Sequence, residues 1–125
     1  MLGDHEAIAT IAVKELKAAR RYYTDVLGLT LVEARGDEVL EYTAAGRKLF
    51  VYRSPFAGTN QATSVTWAVG NEIDAIVREL KSRGVQFEHY QLPNLTLEGD
   101  VHVGGPMREA WFKDPDGNIH SLVNG

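Results

Sequence analysis

Residues 11–29 have the sequence IAVKELKAARRYYTDVLGL, in which an apolar run passes directly into a helical pattern. The run Ala7–Val13 is short and contains several β-branched residues, which predicts a strand buried on both faces. Over Glu15–Leu27 the apolar side chains recur along one helical face, which predicts an amphipathic helix. Gly28 then stands where a residue in the left-handed conformation commonly ends a helix. The stretch therefore predicts a strand, a helix and a helix stop in immediate succession.

The same pattern returns later in the chain. Val69 and Gly84 repeat the spacing of Val13 and Gly28, 56 residues further along. A second helix is predicted between them, with Asn71 as its N-cap. Its apolar stripe consists of Ile73, Ile76, Val77 and Leu80. Internal repetition of this kind indicates two related modules.

The remaining apolar runs predict strands that complete both modules. In the first module they are Leu29–Ala34, Glu38–Thr43 and Lys48–Arg53, and in the second Ser64–Val69, Val85–Tyr90, Met107–Lys113 and Asn118–Val123. The segment Ser54–Ala62 has the composition of a linker, and Gln91–Pro106 is predicted to be irregular because of its prolines and glycines. The sequence therefore predicts one α+β domain over residues 1–125, built from two βαβββ modules at about 6–54 and about 63–125.

Composition limits the classes of function. The chain has 125 residues, a formal net charge of −4 and 44% hydrophobic residues, as is ordinary for a globular protein. Interspersed charges argue against a nucleic-acid-binding face, and the absence of cysteine excludes thiolate metal sites and a cysteine nucleophile. Neither a membrane span nor a signal peptide is predicted, so a cytoplasmic location is expected.

Two segments resemble one protein family. Residues 11–29 are similar to the opening of glyoxalase/bleomycin-resistance/dioxygenase proteins, the vicinal oxygen chelate superfamily. Residues 111–118, WFKDPDGN, resemble the final hairpin of these proteins. The resemblance implies two βαβββ modules whose curved sheets surround a shared cavity, and commonly a homodimer. In the metal-dependent members it also implies His, Gln or Glu side chains from both modules around one divalent ion, which acts as a Lewis acid.

The positions of those metal ligands, carried over from the resemblance, hold residues that bind metal poorly. The first-strand position falls on Ile8, its counterpart in the second module on Ser64, and the position after the final turn on Ser121. The fourth position lies within Phe50–Tyr52, which contains no carboxylate. If the alignment with the family were shifted by one residue, His120 would take the place of Ser121. The other three positions would still lack a metal ligand. Isoleucine has no donor atom and serine is a poor ligand for these ions, so no cofactor is expected; a divalent metal is the less favoured alternative.

Small hydroxyl side chains and aromatic rings would line such a cavity. By strand alternation Ser64 and Thr66 share one face, and Thr10 lies on the corresponding face of the first strand. His102 is placed in the irregular segment, and Glu109 is a strand carboxylate that would suit a general base if buried. The candidate ligand-binding residues are Thr10, Tyr52, Arg53, Ser64, Thr66, His102, Glu109, Trp111 and Ser121. Packing within the sheets is the competing interpretation for each of them, and no catalytic residue is assigned.

The favoured hypothesis for function is a metal-independent protein that binds a small organic molecule, similar to the drug-sequestering members of the family. A metal-dependent lyase or dioxygenase with an atypical ligand set is the alternative, and a regulatory domain without a cavity ligand is the third. The expected partners are a planar organic ligand and a second copy of the chain in a homodimer, with no nucleic acid and no membrane.

Overall fold

The strands form two separate sheets, one in each half of the chain. The computed structural model describes residues 1–125, and the chain divides into two compact units, Met1–Thr59 (unit 1) and Asn60–Gly125 (unit 2). The boundary falls inside Ser54–Ala62, the segment with linker composition. Both sheets are curved and open, and each unit contributes one α-helix. The fold is therefore α+β, as predicted.

Unit 1 has the order of elements that its sequence predicts. The elements are β1 (Ala9–Val13), α1 (Leu16–Arg21), β2 (Thr30–Arg35), β3 (Val39–Ala44) and β4 (Arg47–Arg53). The strand order in the sheet is β1-β4-β3-β2, in which β1 runs parallel to β4 and the other neighbours are antiparallel. Because β1 and β4 are parallel, their carboxyl ends lie at the same edge of the sheet.

The helical segment after β1 is less regular than predicted. The prediction of a continuous α-helix over Glu15–Leu27 is wrong, because α1 is followed by a π-helix over Tyr22–Val26. The backbone N–H of Leu27 donates to the carbonyl of Tyr22 at 3.0 Å, a bond across five residues that widens the turn. Gly28 then has φ 75°, which confirms the left-handed helix stop.

One face of the unit 1 sheet carries the core. Its buried side chains are Ile11, Val13, Leu40, Tyr42, Leu49 and Val51 from the strands, with Ala19 and Tyr23 from the helical segment. The prediction that the first strand is buried on both faces is wrong, because Ala9 and Thr10 are exposed. β1 lies at the edge of the sheet, and only its alternate side chains point into the core.

Unit 2 begins in the same order and then adds a hairpin. Its elements are β5 (Thr63–Ala68), α2 (Ile73–Ser82), β6 (Phe87–Glu88), β7 (Thr96–Glu98), β8 (Val101–Gly104), β9 (Met107–Lys113) and β10 (Ile119–Val123). The order in the sheet is β5-β10-β9-β8-β7, and β6 pairs with β9 beside β8. The β5–β10 pair is parallel and the others are antiparallel.

Each unit contains a parallel strand pair, and equivalent residues of the internal repeat occupy equivalent positions in the two pairs. Thr10 pairs with Phe50 in unit 1, and Thr66 pairs with Ser121 in unit 2. Thr10 and Thr66 are 56 residues apart, the same offset that separates the two helix stops. The repeat found in the sequence is therefore also a repeat of strand pairing.

The start of α2 differs from the prediction. Asn71 does not cap the helix: it lies in a 3-10 turn over Gly70–Glu72, and no side chain caps α2. Gly70 has φ 58°, and the N–H of Glu72 bonds to the carbonyl of Val69 at 3.2 Å. This tight turn satisfies backbone groups that a capping side chain would otherwise bind.

Two further predictions for unit 2 are wrong. The strand expected over Val85–Tyr90 is reduced to the two residues of β6. Gln91–Pro106 is not irregular throughout, because it contains the β7–β8 hairpin. Gly99, with φ 63°, supplies the turn between these two short strands. Prolines and glycines at both ends of the segment obscured the strands in the sequence.

The buried face of the unit 2 sheet packs under α2, which contacts β9. The buried apolar side chains of unit 2, counting both faces of the sheet and the helix, are Ile73, Val77, Leu80, Val85, Val101, Ala110, Trp111, Phe112, Ile119 and Leu122. None of the helices in the chain is long and apolar enough to cross a membrane.

Candidate functional site

Five of the nine candidate residues lie on one face of β5, β9 and β10, which we call the hydroxyl face. It consists of Ser64, Thr66, Glu109, Trp111 and Ser121. Ser121 pairs directly with Thr66 on one side and with Trp111 on the other, so alternation brings the five side chains to the same face. Ser64 and Thr66 are exposed, while Glu109 is half-buried. The strand positions predicted to line a cavity in unit 2 are therefore adjacent.

Ser121 is the centre of a hydrogen-bonded group on the hydroxyl face. Its side chain is fully buried, and its Oγ donates to Oε2 of Glu109 at 2.9 Å. The same Oγ lies 3.4 Å from Oγ1 of Thr66. This chain of oxygens runs from the half-buried Glu109 to the exposed Thr66, so the Glu109 carboxylate and the Thr66 hydroxyl are the hydrogen-bonding groups nearest to solvent.

Trp111 supports this face from within the sheet. Its indole Nε1 donates to Oγ1 of Thr63 at 3.3 Å. The rings of His102 and Tyr90 meet it edge to face, with centroid distances of 4.8 Å and 5.4 Å. Edge-to-face packing of this kind holds the indole in one orientation. Thr63 and Tyr90 were not among the sequence candidates. Thr63 directly precedes one predicted strand and Tyr90 is the last residue of another, but their contacts depend on the register between strands.

His102 has a structural role rather than the loop position expected for it. It lies on β8 with only 1% of its surface exposed, because the segment around it forms a hairpin. Its Nε2 accepts the backbone N–H of Tyr90 at 2.9 Å, so the proton is on Nδ1, which donates to the carbonyl of Glu109 at 3.2 Å. Both ring nitrogens are bonded to backbone, and neither is open to a ligand or a metal.

The opposite face of the same strands holds His120. Its ring is fully buried and stacks on Phe112 with the centroids 5.0 Å apart. Its Nδ1 accepts the indole N–H of Trp67 at 3.0 Å. Burial lowers the pKa of the His120 imidazole from 6.5 to about 4, and the nearby Asp114 offsets this only in part. A neutral, enclosed ring on this face belongs to the core.

In unit 1, Thr10 and Tyr52 lie on the face away from the core. The hydroxyl of Thr10 donates to the carbonyl of Ile8 at 3.1 Å, and 38% of Tyr52 is exposed. On the next strand, β3, Glu41 pairs with Phe50; its side chain is buried and its Oε1 accepts from Arg35 at 2.7 Å. The Glu41 carboxylate is therefore paired with the Arg35 guanidinium.

Arg53 does not share that face. Its guanidinium bonds to Oε1 of Glu38 at 2.7 Å, and both side chains are more than half exposed. Alternation along β4 places Arg53 on the side opposite Tyr52, at the end of the sheet. The ninth candidate therefore belongs to a different part of unit 1.

The donor chemistry at the ligand positions implied by the family does not fit a divalent ion. Ile8 has no donor atom and precedes β1, and the hydroxyl of Ser121 is bonded to Glu109. Ser64 offers a single neutral hydroxyl, and Phe50–Tyr52 contributes no carboxylate or imidazole. No group of three or more His, Asp or Glu side chains is placed to hold a metal ion. Divalent ions of this kind require carboxylate or imidazole donors, which these positions lack.

Two open, curved sheets, each with a parallel outer strand pair whose first strand leads into a helix, define the class of α+β proteins built from paired modules. Residues 5–121 match the model of the Glyoxalase/Bleomycin resistance protein/Dioxygenase superfamily. The chain belongs to this superfamily, which confirms the resemblance seen in its opening and closing segments.

Several solved structures share the fold at low sequence identity. The fosfomycin resistance protein FosX of Listeria monocytogenes is 17% identical, with a TM-score of 0.69 over 97% of this chain and 90% of that chain. FosX of Mesorhizobium loti is 12% identical, with a TM-score of 0.70 over 98% and 92% of the two chains. An integron cassette protein from the mobile metagenome of a Halifax Harbour sewage outfall is 18% identical, with a TM-score of 0.71 over 95% and 98%.

The Listeria protein has also been solved with Mn(II) and a sulfate ion, and a point mutant of it with Mn(II) and 1S,2S-dihydroxypropylphosphonic acid. Among curated proteins, no sequence matches this chain. At these identities the solved structures establish the fold alone.

Proposed function

We propose that this protein binds a small planar organic molecule without the help of a metal ion, and that the hydroxyl face forms part of the binding surface. Sequestration of such a molecule would then be its activity. The proposal rests on one observation above all. Where the family resemblance places a metal-binding carboxylate, this chain has Ser121, and its hydroxyl is bonded to Glu109.

The chemistry of the hydroxyl face suits polar atoms at the rim of a flat ligand. Thr66 and Ser64 present exposed hydroxyls that both donate and accept, and the carboxylate of Glu109 accepts. The fixed ring of Trp111 and the half-buried ring of Tyr90 supply an apolar, aromatic boundary next to them. A few convergent polar groups beside aromatic side chains are typical of small-molecule sites.

A metal-dependent lyase or dioxygenase with an atypical ligand set is the second candidate. It is favoured by the FosX structure with Mn(II), since that protein shares the fold. On the hydroxyl face of this chain, however, Glu109 is the only side chain of a type that binds such ions well. We therefore rank this candidate below metal-independent binding.

Thermal shifts measured with a panel of quinoline-, purine- and flavone-type compounds test the proposal. A compound at 100 times its dissociation constant should add about 2.7 kcal/mol to the free energy of unfolding. The increase should be the same in EDTA as in buffer containing MnCl2. A shift that appears only with manganese would support the second candidate instead.

The variant Thr66→Val locates the binding surface. Loss of one hydrogen bond to a bound compound should weaken its affinity about five-fold. Thr96→Val, on the outer strand β7, is the matched control and should bind like the wild type. Equal affinity of Thr66→Val and wild type for every stabilising compound would remove the hydroxyl face from the site.

The expected homodimer and cytoplasmic location complete the proposal. Both come from the sequence and its family resemblance. Light scattering after size exclusion should give twice the mass of 13.8 kDa, and a mass of one chain would reject the dimer.

A further inference from the structure

A cavity lies within unit 1, at the edge of the sheet where β1 and β4 end. Its volume is about 380 Å³, within the usual range for small-molecule sites. Four basic side chains line it: Lys14, Lys17, Arg20 and Arg53. We call this cavity the cationic cleft. It shares no residue with the hydroxyl face.

The local sequence explains why these cations converge. Val13 pairs with Arg53 in parallel register, so the next residue, Lys14, leaves β1 beside the end of β4. Lys17 and Arg20 are three residues apart on α1, which places both on one side of the helix. The strand ends and the helix therefore bring four positive groups to one place.

The cationic cleft has an excess of positive charge, although the chain as a whole is negatively charged. The chain has a formal net charge of −4, yet the cleft has four cations and only two lining carboxylates, Glu15 and Asp37. Arg53 is paired with Glu38. Lys17 and Arg20 form no ion pair with a carboxylate, so their charges are available to a bound anion.

The floor of the cationic cleft is apolar. Leu16 on α1 is half-buried and Ala34 on β2 is exposed, so both present apolar surface to the cleft, and Leu40 on β3, which is 3% exposed, lies at its base. A ligand that only carried charge would leave this surface in contact with water. A short hydrocarbon body would cover it and gain roughly 25 cal/mol for each Å² removed from water.

We propose that the cationic cleft binds a small organic anion, in which a carboxylate or phosphate head group contacts Lys17 and Arg20 and a short apolar chain covers Leu16 and Ala34. This binding site is separate from the proposed function of the hydroxyl face, so either can fail without the other.

Titration of the full-length, 15N-labelled chain followed by NMR tests this site, with sodium butyrate, butyl phosphate and inorganic phosphate as probes. We expect saturable shifts of the amides of Leu16, Lys17, Gly36 and Arg53 with at least one of the two butyl compounds. Inorganic phosphate should bind more weakly than butyl phosphate, because it cannot cover the apolar floor. Which butyl compound binds more tightly identifies the head group.

Two double variants distinguish specific binding in the cationic cleft from nonspecific electrostatic attraction. Lys17→Gln with Arg20→Gln should weaken butyl-anion binding about ten-fold, the loss expected from two exposed charged contacts. Arg47→Gln with Lys48→Gln removes the same charge at the other end of β4 and should leave binding unchanged. Equal weakening by both pairs, equal binding of inorganic and butyl phosphate, or no saturable shift with either butyl compound would overturn the proposal.

Discussion

His102 and His120 are both fully buried, and their ring nitrogens are satisfied in different ways. His102 is bonded to backbone groups on both sides, whereas His120 accepts from the indole of Trp67. A histidine whose nitrogens are both occupied acts as a fixed spacer between strands. A histidine held neutral by burial makes folding sensitive to acid.

His120 should make the protein less stable as the pH falls below neutrality. The unfolded imidazole takes up its proton near pH 6.5 and the folded one only near pH 4, so the unfolded state binds more protons between these values. The free energy of unfolding should therefore fall by up to about 3 kcal/mol between pH 6.5 and pH 4. His120→Gln keeps an acceptor for Trp67 but does not titrate, so its stability should depend less on pH over this range.

Urea denaturation at pH 7, 5.5 and 4.5 measures this difference. His5→Gln, at an exposed position near the start of the chain, is the control and should follow the wild type. The same loss of stability in His120→Gln and wild type would show that other groups cause the acid sensitivity.

The sequence predicted the positions of the hydroxyl-face residues better than it predicted the position of His102. Strand alternation placed Ser64 and Thr66 on one face, and the family resemblance implied that Ser121 joins them; the pairing of Ser121 with Thr66 brings the three together. The burial of His102 depends on a hairpin that the sequence obscured. The pairing of Arg35 with Glu41 depends on the register of β2 against β3, which includes an irregularity between Leu31 and Glu33. Single-sequence patterns do not specify such a register.

Among the elements, the β7–β8 hairpin is tied to the rest of unit 2 by Asp100. Its carboxylate lies 2.7 Å from Nζ of Lys81 on α2 and 2.8 Å from Nε2 of His89. The hydrogen bond from Lys81, and to a smaller extent that from His89, holds the pKa of the Asp100 carboxyl below its ordinary 3.8. This contribution to stability is present above pH 3.8 and is lost as the pH falls through the lower folded pKa.

Asp100→Asn should loosen the hairpin without unfolding the chain. The two contacts lose their charge, so local opening should become more frequent while global stability falls by less than about 1 kcal/mol. Hydrogen exchange of the amides of Thr96–Glu98 measures the opening, and Glu6→Gln, exposed and distant in sequence, serves as control. Unchanged exchange in Asp100→Asn would mean that the backbone pairing of β7 with β8 suffices.

The elements also show where sequence patterns stop being informative. Both helices and the strands β1 to β5, β9 and β10 were predicted, because their apolar periods are clear. The π-helix at Tyr22–Val26 was not, since an extra residue in one turn barely changes the apolar spacing. The 3-10 turn at Gly70–Glu72 precedes α2 in place of the N-cap predicted at Asn71. Backbone hydrogen bonding decided both cases.

For the whole molecule, the sequence predicts one domain over residues 1–125. Each unit has about 60 residues, a size at which a single core is marginal on its own. We expect the chain to unfold in one cooperative transition, with equal calorimetric and van't Hoff enthalpies. A fragment of residues 60–125 should be largely unfolded. Two separate transitions, or a folded fragment, would make the units independent domains.

The central claim is that the positions to which the family resemblance assigns metal ligands lack, in this chain, the donor atoms that would hold a metal. Ile8, Ser64 and Ser121 carry no imidazole and no carboxylate, and this follows from covalent chemistry. Elemental analysis of protein purified without chelator, then dialysed against MnCl2 and against buffer, tests the claim most directly. We predict far less than one manganese, zinc, nickel or iron atom per chain. Close to one tightly held atom per chain would contradict it.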